Sequence, residues 1–180
     1  MPVVARAACR LSLLLAAILP MAACRETPAP RVGPAVEAGA AARDEAAARE
    51  READAVVDRA IGGLFGDHVP YRRQFERFQQ AVAADDAAAV AALVAYPFDA
   101  RIDGKVQRIE DADAFVARYA AIITPHIKRA IVDQRYSGLL VEEQGIMLGR
   151  GEAWLSGTCR RQDKPCTDPE VRVVAIQPAL

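Results

Sequence analysis

The 180-residue chain offers few side chains with reactive chemistry. It has two histidines, His68 and His126, and four cysteines, Cys9, Cys24, Cys159 and Cys166. Asp99 lies in the alternating run Phe98-Asp99-Ala100-Arg101-Ile102, and Tyr119 lies on the apolar stripe of an expected helix. A carboxylate base facing a tyrosine hydroxyl can move a proton next to a carbonyl, so Asp99 and Tyr119 are weak catalytic candidates. The spacing does not demand that pairing. Asp99 and Arg101 also read as a solvated, paired strand face, and Tyr119 as a core tyrosine with one hydrogen bond. Trp154, the lone tryptophan, sits in an expected strand, where it lines a ligand pocket with Tyr119 or simply packs. His126 opens a helix and is expected at the surface. There is no Ser/His/Asp set, no Gly-rich phosphate loop and no cluster with metal-ligand spacing, so neither a metal nor a cofactor is expected.

The first residues concern export. Arg6 and Arg10 precede the apolar run Leu11–Leu19, which at nine residues is too short for a membrane span and suits a signal peptide. Pro20 closes the run, and Ala22-Ala23-Cys24 follows. This resembles the bacterial lipobox, with Met21 where the pattern prefers Leu. The resemblance implies removal of residues 1–23 and lipidation of Cys24. Lipidation also resolves the cysteine count. Cys9 leaves with the leader, and with Cys24 acylated, Cys159 and Cys166 remain to pair as a disulfide around the polar loop Arg160–Pro165. Arg25 follows the cysteine, which by resemblance to enterobacterial sorting implies the outer membrane, facing the periplasm. The expected location is therefore the cell envelope, with the membrane met through a lipid anchor. Loss of Arg6 and Arg10 lowers 23 basic residues to 21 against 24 acidic ones, a net charge of −3. That balance gives no basic footprint for nucleic acid.

Residues 24–42 contain Pro28, Pro30 and Pro34 and almost nothing large, which predicts a flexible tether. Residues 43–66 predict a charged amphipathic helix. Glu45 and Arg49 make an i,i+4 pair, and Val57, Ala60, Ile61, Leu64 and Phe65 form an apolar stripe. The stripe predicts docking of the second half onto the following domain. A coiled-coil dimer is the alternative, but the stripe lasts barely one heptad. The oligomeric state stays open at this point.

Tyr71, Phe75, Phe78 and Val82 predict a core-facing helix, and Asp85 or Asp86 a cap for a short buried helix over 87–94. Asp103-Gly104 between two extended runs predicts a two-residue hairpin pairing Phe98 with Ile109 and Ile102 with Lys105. Asp111 is expected to cap one helix carrying Phe115, Val116, Tyr119, Ile122 and Ile123. Thr124-Pro125 is expected to open another, with Ile127, Ala130 and Ile131 inward. Four strands are expected at 138–142, 145–148, 152–159 and 170–176, with a tight turn at Gly149-Arg150-Gly151 and Glu142-Glu143 at a turn edge. Helices followed by strands predict an α+β domain with an antiparallel sheet.

The order helix, helix, hairpin, helix, meander over residues 71–178 resembles the NTF2-like class of cone-shaped α+β folds. Three phrases resemble uncharacterised exported bacterial domains of that kind: Phe78–Asp86 followed by Leu93–Phe98, Phe115-Val116-Ala117-Arg118-Tyr119, and Gln144–Trp154. The resemblance implies helices packed on a curved antiparallel sheet around a pocket that Tyr119 and Trp154 would bracket. It brings no reaction with it, because the class hosts enzymes and binding proteins alike. The expectation is a non-catalytic binding module for a small ligand or another envelope protein. A ketosteroid-isomerase-like enzyme and a purely structural lipoprotein are the alternatives.

Overall fold

The computed structural model describes residues 34–159 and 169–178, with side chains from residue 38. It is a mixed α+β structure. The long helix α1 (Pro34–Phe65) leads into α2 (Val69–Ala83) and the short α3 (Ala87–Ala91). The hairpin β1 (Phe98–Ile102) and β2 (Lys105–Ile109) follows, and then α4 (Ala112–Ala117), α5 (Tyr119–Ile122) and α6 (Pro125–Val132). A 3-10 turn (Tyr136–Gly138) opens the meander β3 (Leu140–Glu142), β4 (Gly145–Leu148), β5 (Ala153–Thr158) and β6 (Glu170–Ile176).

Helix α1 begins inside the stretch expected to be a flexible tether. Pro34 supplies the fixed φ of a first helical position, and Ala35, Ala38, Ala40, Ala41 and Ala42 are the strongest helix formers, which outweighs the single Gly39. Residues 24–33 lie outside the described residues. At 1.5 Å per residue the 32-residue helix is about 48 Å long. Its first half is exposed and its second half is docked, as the charge and apolar pattern predicts. Val57 and Ile61 are buried, and Phe65 stacks on Tyr71 with ring centroids 4.9 Å apart. Ala60 and Leu64 do not join them. They stay exposed, Leu64 and the neighbouring Val56 about half so.

The hairpin forms with the expected register, and Asp103 (φ 50°) and Gly104 (φ 75°) both take the positive φ that a type I′ turn requires. It is a two-stranded sheet of its own, beside a four-stranded antiparallel sheet ordered β3-β4-β5-β6. The segment after α3 covers the free edge of β6. The Ala95 N–H donates to the Val173 carbonyl and the Val173 N–H to the Leu93 carbonyl, both at 2.9 Å.

Asp86, rather than Asp85, caps α3 through the Ala89 N–H at 2.9 Å. The helix stops at Ala91 and buries only Val90 and Ala91, so it is not apolar-buried all round. Asp111 caps α4 and Thr124 caps α6, as expected. The helix expected to run through Tyr119 is broken at Arg118 (φ −115°, ψ 8°), so Val116 turns out to 40% exposure while Phe115, Ile122 and Ile123 stay buried. The core lies between α2, α4, α6 and one sheet face, around Phe78, Phe98, Phe115, Ile131, Ile146, Leu148 and Leu155.

Candidate functional site

Asp99 and Tyr119 do not form a pair. Asp99 is exposed on β1, with its nearest cation Arg108 at 3.7 Å on the partner strand. Tyr119 packs edge-on against Phe115, at 6.4 Å between centroids, on the far side of the Arg118 break. Its hydroxyl oxygen is buried with no hydrogen-bond partner among the described residues. Burial raises its pKa first, and Asp85 and Asp86 add to the shift. The charges that the phenol feels therefore come from the α2–α3 turn, and Asp99 is not among them. Proton transfer between the two candidates has no geometric basis here.

Trp154 lies on the side of the sheet opposite the helices, not across a cavity from Tyr119. The alternation decides this. Ala153 and Leu155 are fully buried beneath it, as are Ile146 and Leu148 on β4. The outward residues then align across the strands: Leu140 pairs with Met147, Met147 with Trp154, and Trp154 with Ala175. Directly paired residues share a face, so these four make one apolar row across all four strands. A register shift between Trp154 and Leu155 leaves Val174 and Ala175 both half-buried beside the row. Leu140 is 47% exposed. Gln144, Trp154, Val174, Ala175 and Gln177 line a depression of about 460 Å³ at one end of the row.

His126 is exposed, as its place in the first turn of α6 predicts, but it is not alone. Its Nε2 lies 3.1 Å from Oε1 of Glu152, whose side chain is only 3% exposed. Glu152 also accepts the Arg150 N–H and lies against Gly149, where a Cβ would stand 2.2 Å from Oε2. Burial pushes the Glu152 carboxyl up. The N–H groups of Arg150 and Glu152 itself, and then His126, outweigh burial and hold it below the ordinary value. This buried carboxylate was not singled out in the sequence. The one signal was its place directly after Gly149-Arg150-Gly151, where a carboxylate can accept the turn's own N–H groups. Chemically the arrangement orients an imidazole, but no hydroxyl or thiol nucleophile stands beside it among the described residues, so it fastens the turn to α6.

A second charged group fastens α1. Arg72 contacts Asp54 at 3.1 Å and Asp58 at 3.0 Å, and its guanidinium lies 3.7 Å over the Tyr136 ring. The Tyr136 hydroxyl donates to Asp58 at 2.7 Å, and His68 stands 3.8 Å from the same carboxylate. Burial raises the Asp58 pKa, but Tyr136 and Arg72 overcome it and lower the value. Burial and the hydrogen bond to Asp58 raise that of Tyr136 strongly. His68 thus serves a structural network.

Cys24 and Cys166 lie outside the described residues, and Cys159 follows β5 at the surface. Among the described residues no three His, Cys, Asp or Glu side chains gather to hold a metal ion. No described helix is long and apolar enough to cross a membrane. Comparison with protein-family models, with curated proteins and with solved structures finds no match.

Proposed function

We propose that the chain is an exported, lipid-anchored envelope protein whose NTF2-like α+β domain is a non-catalytic binding module. The observation that carries the reading is the apolar row Leu140–Met147–Trp154–Ala175 on the sheet face turned away from the described helices. Monomeric soluble proteins seldom leave an aromatic ring and a line of aliphatic side chains contiguous at the surface without a use for them. Helix α1 supports the same reading, because its exposed half sets the domain off from whatever holds the N-terminus. In this proposal Cys24 carries the lipid, residues 1–23 are removed, and the outer membrane is the site. The Cys159–Cys166 disulfide pins the loop whose ends the Thr158–Glu170 pair brings together.

Asp99 faces solvent and makes no hydrogen bond to the Tyr119 hydroxyl, which disfavours an acid/base enzyme. The test joins two measurements on the mature protein. It fractionates with membranes, and Cys24→Ser releases it. It does not turn over small ketones or esters. Turnover that vanishes in Asp99→Asn with the fold intact replaces this reading with an enzyme, and a wholly soluble wild type removes the anchor.

A further inference from the structure

We infer that the cavity between the start of α2 and the opening of β6 is a phosphate-binding site, in which the guanidinium groups of Arg73 and Arg77 hold one phosphate group from two sides. The inference goes beyond the outer sheet face, since this cavity shares no lining residue with the Trp154 depression. Pro70, Arg73, Gln74 and Arg77 line it from α2, and Pro169, Glu170 and Val171 from the opening of β6. Arg73 and Arg77 are four residues apart, so their side chains leave the helix on one face, about 5–6 Å apart at Cβ. Gln74 makes an ordered wall. It is 7% exposed, and its carboxamide N–H donates to the Leu93 carbonyl at 3.3 Å.

Charge selects an anion. Neither arginine has an ion pair or hydrogen bond among the described residues, whereas Arg49, Arg59, Arg72, Arg108, Arg135 and Arg172 all meet carboxylates. Glu76 stands between them in sequence and pairs with neither. Glu170, the one carboxylate on the lining, is neutralised by Arg172 at 2.6 Å. Two positive charges are therefore left without a counter-charge on one wall. Geometry then selects phosphate over carboxylate. A carboxylate offers two oxygens in one plane and is filled by one guanidinium fork. A phosphate offers oxygens in more than one plane, so two forks arriving from adjacent helical turns can each pair with it. The volume, about 210 Å³, is below the roughly 300–1,000 Å³ that a drug-sized ligand needs, so the cavity takes a small anion or the head of a larger molecule. Arg77 also borders a second depression of about 360 Å³, whose lining includes Ala81, Ala84, Ala89 and Ala92. The carboxylate there, Asp86, is held by the Ala89 N–H at 2.9 Å. The apolar part of an ester can lie along these alanines, so a phospholipid headgroup and a soluble phosphate ester are the two sources to separate.

Calorimetric titration of the mature protein, in a non-ionic detergent at constant ionic strength, tests this. The probes are inorganic phosphate, glycerol 3-phosphate and dihexanoyl phosphatidylglycerol, with dihexanoyl phosphatidylcholine as the zwitterionic control. Saturable binding of an anionic phosphate probe is expected. Phosphatidylglycerol binding more tightly than glycerol 3-phosphate assigns a lipid headgroup, and the reverse order assigns a soluble phosphate or its ester. Arg73→Ala and Arg77→Ala should each weaken binding by at least roughly tenfold, as for a lost charge-assisted hydrogen bond. Arg77→Lys keeps the charge but loses the fork, and should weaken binding severalfold. Arg51→Ala on α1 and Arg129→Ala on α6 remove the same charge outside the cavity and should change nothing. All these variants should fold, because the replaced side chains are exposed and alanine is the strongest helix former. Absence of saturable binding to every anionic phosphate probe overturns the site. So does binding that Arg51→Ala or Arg129→Ala weakens as much as Arg73→Ala and Arg77→Ala do, the mark of unspecific charge attraction. Equal binding of the phosphatidylcholine, the mark of a purely apolar contact, overturns it too.

Discussion

Replacing Tyr119 by phenylalanine should stabilise the protein, which reverses the sign usual for a half-buried tyrosine. The hydroxyl oxygen is buried without a partner among the described residues, so the folded state carries its desolvation and gains no bond in return. A buried hydroxyl left unpaired costs about 1–3 kcal/mol. The ring's contact with Phe115, edge-on at 6.4 Å, survives the change. The expected gain is about 1 kcal/mol, the low end of that range, because the residue as a whole is only half-buried. In a domain of this size that raises Tm by roughly 3–5 °C, with an unchanged urea m-value. Tyr136→Phe is the control. Its hydroxyl donates to the Asp58 carboxylate at 2.7 Å, so its removal should lower stability by about 1.5–3 kcal/mol. Opposite signs for the two tyrosines are the expected result. A Tyr119→Phe variant that melts lower, as Tyr136→Phe does, would show that the Tyr119 hydroxyl is paired and refute the reasoning. Binding at the Trp154 face should not respond to Tyr119→Phe, since Tyr119 does not line that depression.

Arg72→Ala should loosen α1 more than it lowers overall stability, because it removes the fork between Asp54 and Asp58 and the contact over Tyr136; faster amide exchange within residues 50–65 than in β4–β6 is the measure. Asp58 and Glu152 both have folded pKa values below their unfolded ones, so they add stability above the ordinary carboxylate range, and that stability is lost as the pH falls through the folded values. Glu152→Gln should flatten the acid limb of the Tm–pH curve below about pH 4.5, and a curve unchanged by the substitution would speak against the buried charge. Thiol labelling of the denatured, unreduced mature protein should find neither Cys159 nor Cys166 free. Loss of the bridge should cost about 2–3 kcal/mol without abolishing the fold.

The hairpin and the meander were legible in the sequence because few alternatives exist for them. Asp103-Gly104 is one of the few dipeptides that accept positive φ twice, and the in–out alternation around Gly145–Leu148 and Ala153–Leu155 fixes each strand's face. The same alternation already placed Trp154 outward, opposite to Ala153 and Leu155. The resemblance to NTF2-like folds set Trp154 at a pocket wall, and strand parity places it on the outer face instead. The break at Arg118 was not legible, since Ala117-Arg118-Tyr119 holds no proline or glycine and continues a helical stripe. Tertiary packing sets that break: Phe115 and Ile122 both reach the core, while Val116 is released to solvent. The early start of α1 was masked by counting prolines, although Pro34 at a first helical position favours a helix. Glu152 was hidden for another reason. A carboxylate before a strand reads as solvent-facing, and only the three-dimensional turn shows that backbone N–H groups converge on it.

The measurement that bears most directly on the outer face as a binding surface is photocrosslinking in cells that export the full chain. A photoreactive residue replaces Leu140, 47% exposed at one end of the outer row, and in a parallel strain Val106, 61% exposed on the hairpin. Both sites tolerate a large side chain because both already face solvent. The account predicts discrete heavier species from the Leu140 strain, reduced when Trp154→Ala is added, and none from the Val106 strain. Crosslinks from Val106 with none from Leu140 would contradict it.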